Sequence, residues 1–172
     1  LTGTAEGRGV RATLTMAAFN YLKNGGFEIG DLTGWTLTEL GSADQLYVED
    51  KLADSCEGTK HMHFWSSAKD SVEFMLEQSL TDLSSGRYRF TISIMGGDGG
   101  ETVIYAYVKL NGETVTTAPM SITSYGEWDT AELRGLDYTE GETLTVGIYV
   151  KCQGSGNGAW GKIDAAELTR EE

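Results

Sequence analysis

No stretch of 18 apolar residues occurs in the 172-residue chain, so the sequence offers no helix able to cross a membrane. Basic residues are scarce: 13 Lys and Arg stand against 26 Asp and Glu, a formal net charge of −13. A chain so acidic repels phosphate backbones, which excludes a general nucleic-acid binder. Cysteine is limited to Cys56 and Cys152, from which neither a disulfide framework nor a zinc-finger spacing can be built. Histidine is limited to His61 and His63, both on one short segment. Helical periodicity is lacking as well, since no 12-residue window carries apolar residues at helical spacing.

What the chain does have is 23 Gly, 8 Tyr and 4 Trp, with many Thr and Val. That composition suggests a loop-rich all-β protein. The first 18 residues mix Gly, Thr, Ala and Arg without a period and read as a linker or tail, or at most one edge strand. With charges at Glu6, Arg8 and Arg11 they do not form a signal peptide, so an export signal has been removed or the chain belongs to something longer. Residues 19–172 fit one domain large enough to bury a core.

Period-2 alternation marks the strands. Tyr88, Phe90, Ile92 and Ile94 share one face; Leu144, Val146, Ile148 and Val150 share another; Ile104, Ala106, Val108 and Leu110 form a third set. Turn signals separate these runs, and Asn111-Gly112 is a hairpin signal because both central positions favour positive φ. Eight to eleven short strands with close turns predict an antiparallel β-sandwich.

Strand direction sorts the loops. If Thr59–Trp65 runs upward, the upper loops are Ser66–Asp70, Gly96–Glu101, Pro119–Glu127 and Cys152–Gly158. These hold or adjoin Trp65, Tyr125, Trp128 and Trp160, with Asp98, Gln153 and Asn157. The lower loops, at 81–86, 111–112 and 135–142, carry mostly acids and threonines. Cys56 then lies low and Cys152 high. A six-residue strand spans roughly 20 Å, and a disulfide needs Cα atoms within about 7 Å, so both thiols are expected to be free.

Three stretches resemble a known family. Asn24-Gly25-Gly26-Phe27-Glu28 with Gly34-Trp35 resembles the opening of galactose-binding-like jelly-roll domains, especially carbohydrate-binding modules. Gly158-Ala159-Trp160-Gly161-Lys162-Ile163-Asp164 resembles their closing strand, with Ala165 where a second acid is usual. His63-Phe64-Trp65-Ser66 and Met95-Gly96-Gly97-Asp98 resemble the family-61 modules appended to secreted endo-β-1,4-galactanases. The resemblance covers about residues 20–168. It implies a jelly-roll, non-catalytic, secreted module, monomeric within a larger glycoside hydrolase, that holds its parent on polysaccharide. It also implies a structural calcium joining the opening and closing segments.

Calcium takes six to eight oxygens. Glu28 and Asp164 are the matching acids, with Glu57 a weaker candidate; the plainer reading makes them surface acids beside turns. For sugar, an aromatic face covers the C–H side of a pyranose, and amides or carboxylates meet its hydroxyls. Trp65 and Trp160 are the first choices for stacking. His63, Asp98, Gln153, Asn157 and Tyr125 are the accompanying polar and aromatic residues. Trp65 shares a face with His61 and His63, opposite Met62 and Phe64, and so points away from the core. Trp35 and Trp128 are expected to pack inside. A rival surface consists of Tyr105, Tyr107 and Tyr149, alternating outward with Arg89, Met75 and Glu73.

Enzymatic readings fare worse. No acid pair is singled out as a glycosidase dyad, no GxSxG elbow occurs, and Gly96–Gly100 lacks the Lys and helix of a phosphate-binding loop. The His-x-His pair points to one face and suits zinc, but no third ligand is identifiable from sequence. The expected function is therefore binding of β-1,4-galactan or a related galactose-containing plant polysaccharide. Another β-glycan (xylan or β-glucan) and a cell-surface adhesion domain remain the alternatives.

Overall fold

A computed structural model describes residues 18–67, 71–156 and 158–172. The expected linker or tail over residues 1–18 therefore lies almost wholly outside the described residues, as does Asn157. Ten strands form: β1 Thr36–Glu39, β2 Gln45–Asp50, β3 Lys60–Trp65, β4 Val72–Leu80, β5 Gly86–Gly97, β6 Thr102–Leu110, β7 Glu113–Met120, β8 Asp129–Tyr138, β9 Leu144–Cys152 and β10 Trp160–Arg170. They build two five-stranded antiparallel sheets, ordered β1-β4-β9-β6-β7 and β2-β3-β10-β5-β8. The fold is the all-β jelly-roll sandwich expected from the sequence. No described helix is long and apolar enough to cross a membrane.

The alternating runs place their apolar residues between the sheets. Tyr88, Phe90, Ile92 and Ile94 of β5 meet Leu144, Val146, Ile148 and Val150 of β9 in one buried cluster. Removing such side chains from water is the main driving force for closing a sandwich. Asn111 and Gly112 both adopt positive φ at the β6–β7 turn, as the hairpin signal requires. The loops sort into two ends as the strand directions dictate, and Cys56 and Cys152 are both free. Burial pushes the Cys152 thiol up to about 12, so it is inert as a nucleophile.

The opening segment is a run of turns around a plug. Asn24 takes positive φ, its Oδ1 accepts from Ile29 N–H at 3.0 Å, and its carbonyl accepts Trp35 Nε1–H at 3.0 Å. Phe27 is fully enclosed, its ring 5.5 Å from Trp35. The opening is tied directly to β10: Asn20 Nδ2 donates to the Ala166 carbonyl, Asn20 Oδ1 accepts from Leu168 N–H, and Ala166 N–H donates to the Gly25 carbonyl.

Two expectations are corrected. Trp128 is half-buried and stands outside the core cluster, because it precedes β8 at the end of a loop instead of following an inward alternation. Arg89 does not join the tyrosine face. It belongs to β5 in the second sheet and pairs with Glu132 at 3.3 Å, whereas Tyr105, Tyr107 and Tyr149 lie on β6 and β9 of the first.

Candidate functional site

The outer face of the second sheet follows from the same alternation. Met62 and Phe64 of β3 point into the core, which leaves His61, His63 and Trp65 on the other side. Leu46 and Val48 pack inward on β2, so Gln45, Tyr47 and Glu49 face out. On β10 Ile163 is core, which turns Trp160, Lys162 and Asp164 outward, and on β5 the outward set is Ser93, Met95 and Gly97. Register then aligns two rows across four strands: Gln45–Trp65–Trp160–Gly97, and beneath it Tyr47–His63–Lys162–Met95.

The upper row is the candidate glycan surface. Trp65 and Trp160 are direct cross-strand partners and both are partly exposed. Trp160 lies flat across Gly97, where a Cβ would meet its indole at 2.9 Å, and its Nε1–H donates to Asp98 Oδ2 at 3.1 Å. Asp98 adopts positive φ, and its carbonyl accepts from Ser155 N–H, so the turn after β5 is fastened to the loop before β10. His63 faces Gln45, Nε2 to Oε1 at 3.2 Å, and its ring lies 5.1 Å from that of Tyr47, itself 44% exposed. The result is two indoles flanked by an amide, an imidazole, a phenol and a carboxylate, across roughly 14 Å of sheet at ~4.8 Å per strand.

The lower row is covered on one side. A 3₁₀ turn at Leu52–Asp54 meets the loop between β7 and β8, where the Tyr125 hydroxyl donates to Asp54 Oδ1 at 2.9 Å and Gly126 N–H points at Met95 Sδ. Beneath this strap Lys162 Nζ is buried against Asp54 at 3.0 Å and Glu49 at 3.2 Å. Burial works against the Asp54 charge, but Lys51, Lys162 and Tyr125 outweigh it and hold the carboxyl well below the usual range. His61 and His63 are both lowered, chiefly by burial and then, for His63, by Lys162.

Of the sugar-contacting residues expected from sequence, Trp65, Trp160, His63 and Asp98 come together. Tyr125 stands off the row, with its hydroxyl spent on the strap. Gln153 is exposed, its amide 3.4 Å from Glu101. Asn157 lies outside the described residues. Gln45 and Tyr47 were not singled out, although the alternation in Gln45–Asp50 would have placed both on the outer face.

The three candidate calcium acids lie near one another but are used differently. Glu28 Oε1 accepts Thr59 N–H and Lys60 N–H, both at 2.8 Å. Asp164 Oδ2 accepts Cys56 N–H and Glu57 N–H, and Oδ1 accepts Ala165 N–H. Burial, with Glu57 adding to it, still pushes the Asp164 carboxyl up to about 6 against those amides. Glu57 is itself raised by burial and by Glu167 and Glu28, and its carboxylate rests against Gly26, where a Cβ would meet it at 2.7 Å. The donor atoms are all oxygens, the kind a hard cation takes, but the three carboxylates do not converge within 4.8 Å as a trio, and those of Glu28 and Asp164 already accept backbone amides.

A concave surface lies on the outer face of the first sheet. Met75, Val103, Tyr105, Tyr107, Lys109 and Pro119 contribute to a cleft of about 550 Å³, with Tyr105 stacked on Tyr149 at 5.0 Å. Tyr107 is nearly sealed and donates to Glu77, and Tyr149 donates to Glu73.

No family model and no curated protein matches the sequence. Solved structures do. TmCBM61, determined in complex with β-1,4-galactotriose, is 28% identical, superposes with a TM-score of 0.75, and is matched over 90% of this chain and 100% of its own. A structure from the β-sandwich superfamily of carbohydrate-binding modules is 20% identical over 91% of this chain and 64% of its own, with a TM-score of 0.56. The CBM22-1 xylan-binding domain from Paenibacillus barcinonensis Xyn10C is 14% identical over 84% of this chain and 90% of its own, with a TM-score of 0.52. The last two support the fold alone. The resemblance to family-61 modules carried by the His63–Ser66 and Met95–Asp98 motifs, within the galactose-binding-like frame of the opening and closing motifs, is borne out.

Proposed function

We propose that this chain is a non-catalytic module that binds β-1,4-linked galactan through the row Gln45–Trp65–Trp160–Gly97, with Asp98, His63 and Tyr47 at its edges. The observation that carries the reading is the cross-strand pair of partly exposed indoles, Trp65 opposite Trp160, with planar polar groups beside them. Indole faces cover the apolar side of a pyranose, and acceptors such as Asp98 and Gln45 select hydroxyl orientation. A galactose C4 hydroxyl is axial, and a polar group left unpaired by the wrong epimer penalises it. The similarity to TmCBM61, whose structure contains β-1,4-galactotriose, supports the choice of sugar. Attachment to a secreted glycoside hydrolase fits this role, since such a module would hold its parent enzyme on the polysaccharide.

Affinity electrophoresis on galactan, xylan and β-glucan gels tests the reading. Retardation on galactan alone is expected, and Trp65→Ala or Trp160→Ala should weaken it by about 5-fold or more, each ring being worth ~1–3 kcal/mol. Retention unchanged in both variants would overturn the site. The tyrosine cleft is the second reading, favoured by its volume and by the Tyr105–Tyr149 stack. Loss of retardation in Tyr105→Ala, with both tryptophan variants unaffected, would move the site there.

Calcium belongs to the same proposal. Glu57 and Asp164, with backbone carbonyls of the opening segment, would hold it and stitch the opening to β10. Glu28 and Asp164 would each have to share oxygens that already accept backbone N–H groups, Glu28 from Thr59 and Lys60 and Asp164 from Cys56, Glu57 and Ala165. Because ligand binding to the native state raises stability by mass action, EDTA should lower the melting temperature by several degrees, and Ca²⁺ should restore it. A melting curve indifferent to EDTA would remove the ion from the account.

A further inference from the structure

We propose that Glu49, His61 and His63 form a site for one borderline divalent transition-metal ion, with Zn²⁺ as the reference case. One ligand atom from each lies within 4.8 Å of the others, and this is the one such trio of His, Cys, Asp or Glu among the described residues. Glu49 Oε2 is 2.9 Å from His61 Nε2 and 3.6 Å from His63 Nδ1. Metal–nitrogen bonds of about 2.0–2.1 Å in a tetrahedral site separate neighbouring ligand atoms by about 3.3 Å. The trio therefore needs only small side-chain adjustments to close on an ion. Two imidazoles and one carboxylate leave a fourth position open, as in zinc sites that keep a water.

Protons in the cluster point the same way. The Ser55 hydroxyl donates to the Lys51 carbonyl at 3.2 Å, so its oxygen is free to accept Nδ1–H of His61 at 3.0 Å. With Nδ1–H given to Ser55 the His61 Nε2 lone pair is available to an ion; without an ion the Nε2–Glu49 Oε2 contact at 2.9 Å is a hydrogen bond whose proton the metal would replace. His63 behaves alike: Gln45 Oε1 takes Nε2–H, which turns an unprotonated Nδ1 inward. This Nδ1 is buried and has no hydrogen-bond partner among the described residues. Once an ion replaces the proton between His61 and Glu49, three acceptors converge on one point, and outer partners such as Ser55 and Gln45 are the usual means of fixing histidine ligands.

The donor that now faces them is Lys162, 3.2 Å from Glu49 Oε2 and 3.4 Å from His61 Nε2. It has an alternative partner in Asp54, at 3.0 Å. An incoming cation repels the ammonium toward that carboxylate, so Lys162 competes with the metal. A purely structural cluster would have Lys162 as its sole cation and take up no metal.

The test uses the full chain carrying Cys56→Ser, to remove an exposed thiol, and holds Ca²⁺ in excess so that its own site stays filled. Zn²⁺ uptake is followed by calorimetry and Co²⁺ by visible absorption. One ion per chain is expected, with visible bands of a low-coordinate Co²⁺ that Zn²⁺ abolishes. His63→Ala and Glu49→Gln should each weaken uptake at least 10-fold, and Lys162→Met should tighten it at least 10-fold. His61 is fully buried, so the partly exposed Glu49 and His63 carry the mutational test. Absence of saturable uptake by the chain with Lys162 intact, or uptake unchanged by His63→Ala, overturns the site. Neither outcome depends on whether galactan binds.

Discussion

At the scale of single residues, Gly97 does what no other side chain can. Its outward position would carry a Cβ 2.9 Å from the Trp160 ring and 3.1 Å from Trp160 Nε1, so the bare α-carbon is the floor on which the indole lies. Gly97→Ala should tilt the ring away from Asp98 and weaken galactan retention several-fold, while the melting temperature moves by only a few degrees, since β5 keeps its backbone pairing. Tryptophan fluorescence and gel retardation measured on the same sample would check this; retention equal to that of the unmodified chain would show that ring orientation is not what the sugar reads. The importance of Trp160 was legible in the sequence because it stands among glycines next to a strand. The placement of Tyr125 was not. Its loop position suggested a sugar contact, but its hydroxyl is claimed by Asp54, 71 residues away in sequence, and no local pattern encodes such a bond.

At the scale of elements, long alternating strands could be read directly, because β5, β6 and β9 each bury a period-2 set. Short β1 and β2 carry little apolar weight, and the strap that β2 leads into had no signature at all. That strap rests on Asp54, whose charge Lys51, Lys162 and Tyr125 stabilise in the folded state. Its carboxyl is depressed, so the stability it confers is present above its unfolded value of ~3.9 and is lost as pH falls below that. Comparing the chain with Asp54→Asn across pH should show a gap in melting temperature that is widest near neutrality and narrows progressively below about pH 4. Both proteins should weaken earlier, below about pH 6.5, because the fold keeps His61 and His63 neutral while the unfolded chain binds their protons. A gap that stays constant from about pH 7 to pH 3 would mean that Asp54 acts through packing and not through charge.

For the whole molecule, the distribution of charge bears on the ligand. The net charge of −13 surrounds a tryptophan row whose own members are uncharged, with Asp98 and His63 at its rim. Stacking and hydrogen bonds to a neutral polysaccharide release no counterions and gain nothing from long-range attraction. A polyanion would meet repulsion over most of the surface. Galactan affinity should therefore change by less than about twofold between 50 and 500 mM NaCl, and a galacturonate polymer should bind weakly at both. Calorimetry at the two salt concentrations decides it. If galactan binding fell steeply with salt, the contact would be ionic, and the uncharged indole pair could not be its principal source.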